Sequence, residues 1–152
     1  MDEKVAIGLA SGLFGAVTTY VFAVLKLRKE LEYKYDTDLR AQRIPKYQEL
    51  WKALESLAKY ARPKELTNAD LEALTGALRK WYFESGGLFL SETSREAYFA
   101  LQDGIRDELE SGGRSTAVPV EDGKFEVLRS LGSNLRTALT RDVGTRKEPR
   151  IN

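Results

Sequence analysis

The sequence predicts an all-α protein: one amino-terminal transmembrane helix, a juxtamembrane helical stalk, and an antiparallel bundle of about four helices. Three observations carry that expectation. Residues 5–25 form an apolar run without a single charge. Apolar residues after it recur at three- and four-residue spacing, the period of a helix with one buried face. No stretch of useful length alternates apolar and polar residues as a half-buried strand would.

The uncharged run, VAIGLASGLFGAVTTYVFAVL, reaches about 31 Å as a helix, the thickness of a hydrocarbon core. Its polar side chains, Ser11, Thr18, Thr19 and Tyr20, are ones a helix absorbs by bonding hydroxyls to its own carbonyls. A cleaved leader fits less well, because Met1–Lys4 carries Asp2 and Glu3 and the run exceeds an ordinary leader core. Lys26, Arg28, Lys29 and Lys34 follow the run against Lys4 before it, which predicts an amino terminus outside and the bulk of the chain in the cytoplasm. Gly8, Gly12, Gly15 and Thr19 share one helical face, the small-residue stripe that lets a second membrane helix approach closely.

Residues 26–44 continue the helical pattern with charges. Leu27, Leu31, Tyr35 and Leu39 make a narrow apolar stripe, and six basic against four acidic residues leave a net charge of +2. Pro45 is read as a kink or a fresh helix start, so the domains expected are a tail (1–4), the transmembrane helix (5–25), the stalk (26–44), the bundle (45–142) and a polar tail (143–152). Within the bundle, Tyr47, Trp51, Leu54 and Ala58 define a first inner face, ended by Arg62-Pro63. Thr67 with Asp70 three residues on resembles a capping box. Leu71, Leu74, Leu78 and Trp81 form the second face, stopped by Gly86-Gly87. Ser91 caps a third helix over 92–110 with Tyr98, Leu101, Ile105 and Leu109 inward. Residues 111–124 are turn-rich. A last helix over 124–142 buries Phe125, Leu128, Leu131 or Gly132, Leu135 and Leu139, and Gly144 stops it.

Composition excludes much chemistry. The chain has 152 residues, 24 basic and 23 acidic, with no histidine and no cysteine. Thiolate and imidazole metal sites, disulfides, cysteine nucleophiles and histidine-based triads are therefore ruled out. A net charge of +1 and a short, interrupted basic tail argue against nucleic acid as a partner. Glu92/Glu96 and Asp103/Asp107 have i, i+4 spacing, but a carboxylate-bridged metal centre in a bundle also wants histidine. The expectation is no catalytic residue, no metal and no cofactor.

Two features invite an anion. The helix start after Leu90 carries Ser91, Thr93, Ser94 and Arg95, and a helix amino terminus with hydroxyls holds negative charge well. The last helix displays Arg129, Ser133, Arg136, Thr137, Thr140 and Arg141. Should the two meet, Ser91, Ser94, Arg95, Arg136 and Arg141 would form a cationic pocket. The plainer reading makes Ser91 a cap, Trp81, Phe83 and Phe89 a plug for the core, and the arginine stripe a solvated face. Residues 63–123 carry −6 and residues 124–152 carry +4, so the acidic helix with Asp103, Asp107, Glu108 and Glu110 is expected to face Arg129, Arg136 and Arg141.

The segments RIPKYQELWKALESL, LRKWYFESGGLFLSETSREAYFALQD and SNLRTALTRDVGTR resemble those of uncharacterised bacterial proteins with one amino-terminal membrane helix and a small helical domain. That resemblance spans most of residues 40–150. It implies that architecture and bacterial origin only, and it supplies no catalytic residue; with the apolar run and its flanking charges, the location expected is the bacterial inner membrane. The function expected is a membrane-anchored helical interaction or scaffold protein, its partners the bilayer and a protein or a second copy. A membrane-tethered sensor of an anionic ligand and an accessory subunit of a membrane complex are the alternatives.

Overall fold

The computed structural model describes residues 3–58, 65–111 and 119–145, with side chains from residue 19 onward. Among them are four α-helices: α1 (Glu3–Ala53), α2 (Asn68–Trp81), α3 (Glu92–Ser111) and α4 (Asp122–Asp142). There is no strand among the described residues, only an isolated antiparallel bridge between Thr67 and Pro119. The all-helical class is therefore as expected.

The chain divides into two compact units, residues 1–39 and 40–152. In the first unit, Lys26 and Glu30 pair at 3.8 Å and Thr37 returns its hydroxyl to the Tyr33 carbonyl at 2.8 Å. The stripe residues Leu27, Leu31 and Tyr35 are exposed. Among the described residues no helix is long and apolar enough to cross a membrane. Most of the uncharged run lies outside that set, since the side chains of residues 1–18 are not described.

In the second unit, Pro45 lies inside α1 instead of starting a new helix. A proline there forfeits one helical hydrogen bond. The surroundings hold the backbone in place: Trp81 donates its indole Nε1–H to the Lys46 carbonyl at 2.9 Å, and Tyr47 and Leu50 are buried directly after. α1 ends earlier than expected, passing into a single 3₁₀ turn, Leu54–Leu57, whose two leucines are fully buried. The expected stop at Arg62-Pro63 lies outside the described residues.

α2 opens as the sequence indicates. Thr67 Oγ1 accepts from the Asp70 N–H at 3.3 Å while Asp70 accepts the Thr67 N–H at 3.0 Å. After Trp81 the chain makes one π-helical turn, Tyr82–Gly86, and a 3₁₀ turn, Gly87–Phe89. α3 then runs antiparallel to α4: Ser94 meets Asp142 at one end, and Glu108 meets Lys124 at the other, 2.9 Å apart. α4 likewise runs antiparallel to the end of α1, with Tyr47 at Asp142 and Leu57 under Gly132. Gly144, at φ +68°, ends α4 in the left-handed conformation that glycine adopts without strain.

The core is one cluster of leucines (50, 54, 57, 66, 71, 74, 78, 101, 128, 135 and 139) with Ile105, Val120, Val143, Tyr98, Trp81, Tyr47 and Phe125. Burying each such side chain stabilises the fold by about 2 kcal/mol before entropy is counted. Phe83 departs from the expected plug, because the π turn directs it to solvent.

The expected pairing of an acidic α3 with a basic α4 is corrected. Asp103, Asp107 and Glu110 surround Arg106 on their own helix, and Arg129 pairs with Glu126 on its own. Intrahelical partners three or four residues away are nearer than any across a leucine-lined interface. Only Glu108 of the acidic set crosses to α4, at Lys124.

Candidate functional site

The amino terminus of α3 does hold an anion, supplied by the chain itself. Ser91 caps the helix, its Oγ accepting from the Ser94 N–H at 3.2 Å. The Ser94 hydroxyl, fully buried, donates to Asp142 Oδ2 at 2.8 Å, and the Ser91 N–H lies 3.3 Å from the same oxygen. The phenol of Tyr47 completes the cluster. Its one proton is shared between Asp142 Oδ2 at 2.8 Å and the Phe89 carbonyl at 2.6 Å, and the latter also accepts from Arg43 Nε at 2.8 Å. Burial pushes the Tyr47 phenol far above its ordinary pKa; the hydrogen bond to Asp142 and its negative charge add to this, and Arg43 opposes it.

This corrects the five-residue cationic pocket. Ser91 and Ser94 do come together, but the group α4 brings to them is a carboxylate, not an arginine. Arg95 and Arg141 are exposed. Arg136 reaches the end of α1 and the 3₁₀ turn after it instead: its Nη1 donates to the Leu54 carbonyl at 3.3 Å, and its guanidinium carbon stands 6.0 Å from the centre of the Trp51 ring in α1. Half-burial lowers its pKa, with the charge of Arg129 as a second cause.

Trp51 was expected in the core and is instead the wall of a cleft. About 190 Å³ of open space lies between α1 and α4, lined by Ile44, Tyr47, Trp51, Leu139, Thr140 and Val143. Arg136 is one helical turn before Leu139 and Thr140, on the same face of α4. A tryptophan at helical spacing carries no mark of facing a cleft, so this position was illegible in the sequence. Asp142 did carry a signal: an acid in the last turn of a helix opposes the helix dipole and calls for a donor elsewhere.

A second exposed apolar surface surrounds the π turn. Phe83, Leu88 and Phe99 face solvent, and Tyr82 stacks on Tyr98 at 5.0 Å and tilts against Phe99 at 5.4 Å. Burial raises the Tyr98 pKa, the Gln102 amide bonded to its oxygen opposes the rise, and the neighbouring Tyr82 adds to it. Among the described residues no three carboxylates gather as a metal cage would require. Gly8, Gly12 and Gly15 lie outside the residues with described side chains, and Thr19 is exposed. No family model, curated protein or solved structure matches the chain.

Proposed function

We propose that the chain is a non-catalytic interaction protein held on a bacterial inner membrane by residues 5–25, with residues 40–152 displayed on the cytoplasmic side. One observation carries the reading. Of the large apolar residues of the run that are described, Tyr20, Val21, Phe22 and Leu25 are 71, 48, 68 and 49% exposed, and Val24 is half-buried. Burying a side chain of that size is worth about 1.5–3 kcal/mol, which favours a cover over these residues. Their place in an uncharged run of membrane-spanning length, with basic residues following, favours lipid as the cover. Anchoring confines the helical domain to two dimensions and raises its effective concentration for a partner.

The absence of cysteine makes the test direct. Full-length protein should sediment with membranes and resist extraction by high salt and alkaline carbonate. The Asp2→Cys variant should react with an impermeant maleimide in intact spheroplasts, and the Thr145→Cys variant only after lysis. Recovery of the untagged protein in the high-speed supernatant overturns anchoring, and the reverse labelling overturns the orientation.

A further inference from the structure

We infer that the cleft between α1 and α4 is a binding site for a small hydrophobic carboxylate, its body against Trp51 and its anionic head on Arg136. The inference is independent of membrane anchoring, because every residue it uses lies in the second unit.

Arg136 is half-buried, and among the described residues no carboxylate lies within ion-pair distance of it. The like charge of Arg129 and its own desolvation both disfavour the charged form. Among the described residues its guanidinium finds one hydrogen-bond acceptor, the Leu54 carbonyl, at the long distance of 3.3 Å. Arg106, Arg129 and Lys124 each have a carboxylate within ion-pair distance, and Arg95 and Arg141, which have none among the described residues, are exposed to water, whereas Arg136 is half-buried. A guanidinium placed so gains most from an anion that brings two acceptor oxygens, because bidentate charge-assisted pairs are the strong ones.

The cleft decides the rest of the ligand. Ile44, Leu139 and Val143 give it aliphatic walls, and Tyr47 and Trp51 give it aromatic ones. Its space of about 190 Å³ exceeds the roughly 150 Å³ in which a protein cavity accommodates benzene. That admits a phenyl ring or a short alkyl chain, and is small for a drug-sized molecule or a partner helix. Arg136 is not among the residues that line the cleft; its guanidinium carbon stands 6.0 Å from the centre of the Trp51 ring, at the reach of cation–π attraction, so it borders the apolar space across Trp51. An inorganic anion would satisfy the arginine and leave the apolar walls wet; a hydrocarbon would do the reverse. A small amphiphilic monocarboxylate serves both.

The test uses the full chain in lipid nanodiscs, with 3-phenylpropionate as probe and 3-phenylpropanol as its uncharged counterpart. Binding is read from Trp51 fluorescence, with Trp51→Phe identifying the emission that responds. The expected result is saturable binding of the acid, weaker by tenfold or more for the alcohol and for the acid with Arg136→Gln, since a charge-assisted hydrogen bond is worth roughly that factor. The alcohol comparison needs no variant, so it stands even where Arg136→Gln disturbs folding. Equal affinity for acid and alcohol overturns the role of Arg136. No saturable response to the acid overturns the site.

Discussion

Asp142 stands in the last turn of α4, where the partial negative charge of its own helix opposes it, and faces the amino terminus of α3, which favours it. The second effect comes with direct donors: the Ser94 hydroxyl, the Ser91 N–H and the Tyr47 phenol all reach the same oxygen. One residue thereby ties the ends of three helices. Tyr47 makes the arrangement sensitive to alkali. Its folded-state pKa is raised above that of an unfolded tyrosine, so folding keeps a proton that the unfolded chain gives up above about pH 10. The stability it contributes is fully present below that pH and falls as pH rises through it. Tyr47→Phe should therefore cost about 1 kcal/mol at pH 7, the worth of one buried hydrogen bond, and should flatten the loss of stability between about pH 9.5 and about 11. Urea midpoints of both proteins at the two ends of that window measure it, and parallel pH profiles would refute it. The sequence made Ser91 legible as a cap because hydroxyls before a helix have a local purpose. It left Asp142 to be read as an interruption in a basic segment, because its partners are 48 and 95 residues away in the chain.

At the level of elements, the turn from α2 to α3 departs from its expected end. A double glycine after three aromatics reads as the helix stop, whereas α2 ends at Trp81 and a π turn carries the chain on to Gly86. The structure adds that Gly86 lies flat against the Trp81 indole: a Cβ there would overlap the ring, with Cη2 only 2.6 Å away. Relief would require moving a buried ring that donates to the Lys46 carbonyl beside Pro45. Gly86→Ala should accordingly destabilise the fold by about 2–3 kcal/mol, the usual cost of overpacking, and shift the Trp81 emission toward that of an exposed indole. Gly76 supplies the contrast. It is an exposed position within α2 where an added methyl would meet nothing within 4 Å, so Gly76→Ala should stabilise by about 0.5–1 kcal/mol through helix propensity. Equal effects of the two substitutions in chemical denaturation would show that close approach to Trp81 is not what Gly86 provides. Helical periodicity located α3, α4 and the start of α2 closely, since their buried faces are leucine-rich and their caps local. It left Pro45 open between a kink and a fresh helix start, because a proline inside a helix is sustained by contacts from elsewhere in the fold, here the Trp81 indole.

For the molecule as a whole, every residue of the buried cluster falls between Tyr47 and Val143. The described residues of the first unit instead leave Tyr20, Phe22, Leu27, Leu31 and Tyr35 exposed. A segment whose described residues are not members of that cluster contributes little to its cooperativity, whatever it does for location. Residues 40–152 expressed alone should therefore be soluble, helical and cooperatively folded, keeping the Arg43 bond to the Phe89 carbonyl near the start of the unit. Their stability in urea should match that of the full chain in nanodiscs to within about 0.5 kcal/mol, the ordinary range for changes that touch no core contact. Loss of near-ultraviolet circular dichroism with retained helicity and dye binding would mean that the fragment is a molten globule, and that residues 1–39 complete the fold after all. The same fragment separates location from recognition. If it binds 3-phenylpropionate as the full chain does while remaining in the supernatant, the anchor and the cleft are separate devices joined by one helix.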